Sequence, residues 1–244
     1  MGALTATLLL DVWERGQGQV PGERAVTLLA AAGMSAEEAG SRPLGQRDRL
    51  LLGLREQLFG GRVLGVADCP ACGERLEADF ESSALRASMP GTAPSAPLRV
   101  ESEAYSVEFR LPTTADVLAA ASAASDDVEA ARLLLERCIE RAERDGVAVP
   151  TAGLPARCQA DVAAALAASD PGAEMEVLLS CPGCGETSPV PFDVTAFIWQ
   201  EITAWARRTL WEVHTLAVAY GWAEGDILGL SASRRRRYIR MVTG

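Results

Sequence analysis

The sequence contains two nearly matching stretches, CPACGERLEADFESSAL at residues 69–85 and CPGCGETSPVPFDVTAF at residues 181–197. One stretch falls on the other after a shift of 112 positions, and the alignment needs no gap. The shift aligns Cys69 with Cys181, Cys72 with Cys184, and Phe80 with Phe192. Because four of the six cysteines fall in these stretches, the pattern indicates two related units rather than two chance Cys-x-x-Cys matches.

Each Cys-x-x-Cys turn can present two thiolates to one metal ion, and two such turns complete a tetrahedral site. Pro70 and Pro182 favour the tight turn, and Gly73 and Gly185 permit the positive φ that follows it. Four thiolates also fill the coordination sphere and leave no open position for a catalytic water. With strands on both sides of each turn, the sequence predicts a zinc ribbon in which one structural Zn²⁺ is bound by Cys69, Cys72, Cys181 and Cys184.

Three other readings of the cysteines stay open at this point: iron in the same site, a redox-active dithiol, and two disulfides. Iron accepts the same four thiolates. A redox centre is disfavoured because neither Cys-x-x-Cys lies at the start of a helix. Disulfides are disfavoured because we expect the protein to be cytoplasmic, where paired cysteines are more often metal ligands.

The composition predicts a soluble, folded protein. The chain has 244 residues, 48% of them hydrophobic, and a net charge of −10. This acidity argues against general nucleic-acid binding, because contacts to phosphate need a basic surface. The start of the chain lacks a basic leader, and no stretch approaches the roughly 20 apolar residues of a membrane-spanning helix. We therefore expect neither a signal peptide nor a membrane span.

The predicted fold is α+β and mainly α-helical, with a central four-cysteine zinc ribbon that is split by an inserted α+β segment. Residues 1–62 form an N-terminal helical segment, residues 63–97 the first zinc knuckle with its flanking strands and a linker, residues 98–173 the inserted hairpin plus helices, residues 174–196 the second knuckle, and residues 197–244 a C-terminal helical docking region.

Within the insert, residues 126–146 predict one long amphipathic helix. Its apolar face carries Val128, Ala131, Leu134, Leu135, Cys138 and Ile139. Cys138 and Cys158 are interpreted as small buried residues on helix faces. The proline-rich residues 87–97 predict a linker or long loop.

The sequence lacks the motifs of several large enzyme classes. It contains no G-x-x-x-x-G-K-[ST], no G-x-G-x-x-G of the dinucleotide type and no H-E-x-x-H. His214 is the only histidine, which removes many acid–base and metal-hydrolase arrangements. We predict that the protein is not an enzyme, with no catalytic residue and no small-molecule substrate.

The C-terminal region is the predicted protein-binding surface. It concentrates tryptophan, tyrosine and arginine, which dominate the energetics of protein interfaces, in a chain otherwise poor in aromatic residues. The run of four arginines could instead mark a nucleic-acid patch or a solvated helix face. The candidate partner-binding residues are Trp211, His214, Tyr220, Trp222, Ile227, Leu228, Arg234, Arg235, Arg236, Arg237 and Tyr238.

Several segments together resemble the baseplate-protein family of contractile phage tails. They are GQRDRLLLGLREQLFG (45–60), CPACGERLE (69–77), LPTTADV (111–117), LLLERC (133–138) and CPGCGE (181–186). Within the family they are most similar to T-even-like baseplate hub and hub-assembly proteins from loci for extracellular contractile injection systems. The ending EVHTLAVAYGWAEGDILGLSASRRRRYIRMV (212–242) is similar to the endings of several small proteins from such loci and from phage tail assembly. The resemblance implies a role in forming or building a baseplate, with other baseplate or tail proteins as partners and incorporation into a phage tail-like particle.

The sequence-based hypothesis is therefore a baseplate component or assembly factor that acts by protein–protein docking. A nucleic-acid-binding zinc-ribbon regulator is the alternative, and the net acidity of the chain counts against it. A thiol redox enzyme is a third reading, which predicts reactive cysteines in the metal-loaded protein.

Overall fold

The computed structural model describes residues 4–89 and 97–244. The helices in these ranges are α1 (Ala6–Gly16), α2 (Pro21–Ala31), α3 (Ala36–Ser41), α4 (Leu44–Phe59), α5 (Ser82–Ser88), α6 (Thr114–Ala123), α7 (Asp127–Cys138), α8 (Ala156–Ser169), α9 (Val194–Tyr220), α10 (Glu224–Gly229) and α11 (Ala232–Thr243). The strands are β1 (Arg62–Asp68), β2 (Arg75–Glu81), β3 (Leu98–Ser102), β4 (Tyr105–Phe109), β5 (Ile139–Arg144), β6 (Val147–Val149), β7 (Glu176–Ser180) and β8 (Thr187–Pro191). Helices account for 56% of the described residues, so the prediction of a mainly helical α+β fold is confirmed.

The main hydrophobic core is formed by helices from the N-terminal segment together with the long helix α9 near the other end of the sequence. Helices α1, α2 and α4 pack around the first half of α9, and the side chains of Val12, Leu28, Leu51, Ile198 and Ile202 are fully buried there. Helix α9 is long because apolar residues recur at helical spacing until Gly221, which adopts a left-handed φ of 67° and ends it. The N-terminal segment and the C-terminal helix therefore share one core.

The two cysteine-containing stretches form two separate antiparallel hairpins. Strands β1 and β2 pair from Arg62–Glu81 to Asp68–Arg75, and β7 and β8 pair from Glu176–Pro191 to Ser180–Thr187. A helix follows each hairpin at once, α5 from Ser82 and α9 from Val194, which are again 112 positions apart. Strands were predicted beside both turns, but α5 was not predicted.

Residues 98–173, the predicted insert, contain a four-stranded antiparallel sheet in the order β3-β4-β5-β6, with α8 packed against β3 and β4. The segment's own apolar core includes the buried residues Val107, Phe109, Cys158 and Val162. Cys138 is also buried, so both cysteines lie in the interior as predicted.

The predicted helix over residues 126–146 is wrong in its second half. Helix α7 ends at Cys138, and the chain continues as β5, which pairs with β4. The reason lies in Asp145 and Gly146, whose φ angles of 50° and 79° form the tight turn that Asp-Gly favours between antiparallel strands. This turn, together with burial of Ile139 against the sheet, outweighs the helical pattern.

The insert is fixed to the N-terminal helices at the start of α4. The buried carboxylate of Asp170 accepts a hydrogen bond of 2.9 Å from the backbone N–H of Gly45, and the N–H of Leu44 donates to the carbonyl of Pro112 at 3.1 Å. A carboxylate at a helix N-terminus satisfies free N–H groups and favours the helix dipole. Burial raises the pKa of Asp170, and the Gly45 N–H partly offsets that effect.

Helices α10 and α11 cover the second half of α9. They form a smaller core with Leu10, Val213, Leu216, Ile227 and Ile239. Ser231 caps α11 as predicted, its Oγ accepting from the N–H of Arg234 at 3.3 Å. Of the predicted linker over residues 87–97, Ala87 and Ser88 instead belong to α5, and residues 90–96 lie outside the described ranges.

Candidate metal centre

The tips of the two hairpins bring four cysteines together. The Sγ atoms of Cys69, Cys72, Cys181 and Cys184 all lie within 4.8 Å of one another, although 108 residues separate the two pairs. Two of these contacts run between the hairpins, at 3.8 Å from Cys69 to Cys184 and 3.6 Å from Cys72 to Cys181. Sulfurs bound tetrahedrally at ~2.3 Å from zinc lie ~3.8 Å apart. The four cysteines can therefore hold one metal ion.

The backbone of the two turns is nearly identical. In the first, the N–H of Cys69 donates to the carbonyl of Glu74 at 2.8 Å, and the N–H of Gly73 donates to the carbonyl of Cys69 at 2.8 Å. In the second, the equivalent bonds measure 2.8 and 2.9 Å. Gly73 and Gly185 have φ angles of 75° and 77°, the conformation for which the sequence predicted glycine.

The first turn also lowers the pKa of one of the four thiols. Backbone N–H groups of Cys72 and Ala71 aim at the Cys69 sulfur and lower the pKa of Cys69 to about 7. A thiolate is the form that binds a metal. Cys69 and Cys181 are buried, whereas Cys72 and Cys184 are exposed, so the site lies at the surface with one side covered.

The donor set fits a structural metal. Four sulfurs favour zinc or iron over calcium and magnesium, which take oxygen ligands. Sulfur separations of 3.6 and 3.8 Å are also far longer than the ~2.05 Å of a disulfide bond. Among the described residues, no other group of three or more histidine, cysteine or acidic side chains has this arrangement.

An aromatic contact repeats the pairing on the other side of the hairpins. Phe80 and Phe192, which the shift of 112 positions aligns, meet edge to face with ring centroids 5.6 Å apart. Phe192 also contacts Phe197 of α9, with centroids 5.2 Å apart. The two hairpins thus meet through equivalent residues at two places, the thiol cluster and this aromatic contact. The alignment contained the signal for the contact, because phenylalanine occupies the same place in both stretches.

The structure buries part of the predicted partner-binding set. Ile227 and Leu228 lie in the smaller core, and Arg235 is only 4% exposed because its Nε donates to Glu212 at 2.8 Å. Trp222 and Tyr238 are half-buried and meet at a ring-centroid distance of 5.0 Å. These five side chains stabilise the C-terminal helices in the structure as it stands.

The remaining predicted partner-binding residues are exposed. On α9 they are Trp211, which is 52% exposed, together with His214 and Tyr220. On α11 they are Arg234, Arg236 and Arg237. A single burial pattern explains the division, since Arg235 and Ile239 face α9 while the other side of α11 faces solvent.

No helix within the described ranges combines the length and apolar character needed to cross a membrane.

No curated protein and no solved structure matches the chain. A family model does match, under the description "T4 bacteriophage base plate protein", and it covers residues 19–199. This range includes both hairpins, the insert and the start of α9, and it makes up well over half of the sequence. The chain therefore belongs to the T4 bacteriophage base plate protein family.

Proposed function

We propose that the protein is a structural or assembly component of the baseplate of a phage tail or contractile injection system, that it binds one structural Zn²⁺, and that it acts by docking to other baseplate proteins. Membership of the baseplate family supports the structural role and the choice of partners. The convergence of four cysteine sulfurs within 4.8 Å carries the metal proposal. Neither observation calls for catalysis or for a small-molecule substrate.

The metal would hold together two parts that are weak on their own. A two-stranded hairpin is at best marginally stable in water, and each knuckle belongs to a separate two-stranded sheet. The apolar cluster beneath the cysteines is small, with Leu76 as its only buried non-cysteine member. A bound ion would close the loop over the 108 intervening residues and restrict the unfolded chain.

The separate core of the insert also supports a structural role for the protein. The insert, residues 98–173, has a core of its own, and it contacts the N-terminal helices through hydrogen bonds such as that from Gly45 to Asp170 and through packing of α6 against α2 and α3. We propose that it is a separate unit mounted on the ribbon and helices, as the predicted segment boundaries describe. The C-terminal helices, residues 197–244, are the proposed docking region.

The surroundings of the cysteines argue against a nucleic-acid-binding ribbon. Carboxylates flank both knuckles, with Asp68, Glu74 and Glu77 on the first and Glu186 on the second, while Arg75 is the one cation on β2. Phosphate groups are repelled by such a surface. The ribbon is therefore better suited to hold protein segments in place than to read a nucleic acid.

The test measures metal content and assembly together. We expect about one zinc per chain in the purified protein and none in a Cys69→Ser, Cys181→Ser double variant. The matched control replaces the two buried cysteines outside the site, as Cys138→Ala and Cys158→Ala, and should keep the metal. Co-expression with baseplate proteins from the same tail locus should yield a complex that contains the wild-type chain. Full metal content in the double serine variant would refute the site, and absence of the wild-type chain from the complex would refute the function.

A further inference from the structure

Helix α11 carries a one-sided cluster of arginines near its start. Arg234, Arg236, Arg237 and Arg240 are exposed, and together with Tyr238 they border an open groove of about 610 Å³ along the helix. Arg235, in the middle of the run, is the exception because it is buried against Glu212. The helix therefore uses one arginine for folding and presents four to solvent.

The exposed arginines form no ion pair with a carboxylate in the described ranges. Most arginines elsewhere in these ranges meet a carboxylate or a carbonyl oxygen, as Arg55 does with Glu201. In contrast, the guanidinium groups of Arg234, Arg237 and Arg240 form no hydrogen bond or ion pair with any described residue, and Arg236 bonds only to the carbonyl of Ala232 on its own helix.

This arrangement is unfavourable for the isolated helix. The N-terminal end of a helix carries a partial positive charge, which disfavours cations there, and the first turn of α11 contains no acidic residue. Arg234 and Arg237 are also three positions apart and Arg236 and Arg240 four, spacings at which like charges repel. An anionic partner would remove both kinds of repulsion at once.

The net charge of the chain is also unevenly distributed, with the positive charge at the C-terminal end. Residues 194–244 contain seven arginines and four carboxylates, a net charge of +3, whereas residues 1–193 have a net charge of −13. The C-terminal helices are thus a basic surface on an acidic protein. Attraction of an acidic partner would be directed to this end of the molecule.

Apolar side chains beside the arginines indicate the class of partner. Met241, which lines the same groove, is 68% exposed, and Tyr220 touches Tyr238 at a ring-centroid distance of 5.9 Å. Arginine, tyrosine and methionine are the residues enriched at protein interfaces. Fewer ring faces are left for stacking on bases, since Tyr220 and Trp222 cover one face of each other at a ring-centroid distance of 4.8 Å and Tyr238 packs edge to face against both.

From these observations we infer that the exposed face of α11 binds an acidic, amphipathic protein segment, whose carboxylates pair with Arg234, Arg236, Arg237 and Arg240 and whose apolar side chains cover Met241. This inference rests on the proposed docking function and specifies the chemistry of the partner. Arginine suits the role because its planar fork can bind a carboxylate through two parallel hydrogen bonds.

The test is a titration of the metal-loaded, full-length protein with a fluorescein-labelled helical peptide that has a glutamate face and a leucine face. We expect binding that weakens as salt is added, because the contacts are exposed ion pairs. In an Arg234→Glu, Arg237→Glu variant the dissociation constant should rise by about tenfold or more. The matched control is Arg75→Glu, since Arg75 is also an exposed arginine with no bonded partner in the described ranges, and it should bind as the wild type does.

Several results would overturn the inference. They are the absence of peptide binding, equal binding by the double variant, and equal binding of a peptide with lysine in place of glutamate. Tighter binding of single-stranded DNA than of the acidic peptide would show that the partner is a nucleic acid. Self-association that the double variant abolishes would show that the partner is a second copy. The titration uses a synthetic peptide and is independent of baseplate assembly, so failure of the inference and failure of the proposed function are distinguishable.

Discussion

Arg55 and Glu201, 146 positions apart, are joined by two parallel hydrogen bonds of 2.9 and 2.7 Å. The same guanidinium group donates to the carbonyls of Gly60 at 2.7 Å and Arg62 at 2.8 Å. Arg55 lies on α4, Glu201 on α9, and the two carbonyls flank the start of β1. One buried side chain therefore connects the helical core to the first cysteine-containing hairpin.

The first prediction concerns this connection. Replacing Arg55 by methionine should destabilise the protein by about 3 kcal/mol, because Glu201 and two backbone carbonyls lose their partner. The measurement is urea unfolding followed by circular dichroism. The control is Arg62→Met, which removes an exposed pair with Asp79 and should not measurably change stability. Equal effects of the two substitutions would show that burial does not distinguish the pairs.

The second prediction concerns the accessibility of the cysteines. In the metal-loaded protein we expect all six thiols to react slowly with Ellman's reagent, four because they bind the ion and two because they are buried. After chelation, the exposed Cys72 and Cys184 should react first. Cys138 and Cys158 should react only on unfolding.

A redox-active dithiol makes the opposite prediction for the loaded protein. Rapid reaction of two thiols without a chelator would favour that reading and would contradict a structural metal. Because the assay compares cysteines of one chain, Cys138 and Cys158 provide an internal control for global unfolding.

The sequence was most informative where its pattern was repeated. Two gapless copies of Cys-x-x-Cys-Gly were sufficient to predict which four sulfurs converge, since a metal site needs both pairs at one place. The alignment of the two stretches also contained information about α5, because Ser82, the first residue of α5, aligns with Val194, where α9 begins. That helix was missed because the first copy continues for only seven residues before the proline-rich segment.

The sequence was misleading where local and long-range preferences disagree. Residues 139–144 carry charges at helical spacing, yet they form β5 because β4 offers an open edge and Asp145-Gly146 returns the chain. The interior position of Arg235 was equally hidden, since nothing in a run of four arginines indicates which one faces Glu212. Such choices depend on the packing of distant elements.

The third prediction tests how the insert is attached. Gly45 lies so close to Asp170 that an added Cβ would be 2.0 Å from the Oδ1 atom. We expect Gly45→Ala to destabilise the protein by about 1–3 kcal/mol, because the carboxylate must leave the start of α4. Gly40→Ala is the matched control: it lies in the neighbouring helix α3, has open space around it, and should be neutral or slightly stabilising. Metal content should not change in either variant.

The fourth prediction concerns stability in acid. Burial raises the pKa of Asp116, but hydrogen bonds from Arg110 and Thr113 outweigh it and hold the pKa well below the ordinary value of 3.8. A lowered pKa in the folded state means that the carboxylate stabilises the fold above pH ~4 and that this contribution is lost as the pH falls further. Asp116→Asn should cost about 2 kcal/mol at neutral pH. Its stability should also fall less than that of the wild type between pH 4 and pH 2, and parallel pH profiles would contradict this account.

The last prediction concerns the ion pair that anchors α11. Glu212 and Arg235 are both buried, at a distance of 2.8 Å, and Arg235 also donates to the carbonyl of Leu230 at 2.7 Å. Arg235→Met alone should destabilise the protein by about 3 kcal/mol, because the Glu212 carboxylate remains buried without a partner.

Adding Glu212→Gln to that variant should recover part of the loss, since a neutral amide is easier to bury than a charge. A double-mutant cycle measured by urea unfolding separates the pair from the packing of the two side chains. Purely additive effects would mean that the charges do not interact.

Deletion of residues 223–244 would be a poorer test of docking than substitution of exposed residues, because the deletion also removes Arg235, Ile227 and Ile239 from a core they help to form. Substitution of the exposed Arg234 and Arg237 should therefore abolish binding of the acidic peptide while α11 stays in place. Substitution of the buried Arg235 should abolish it only if α11 detaches from α9.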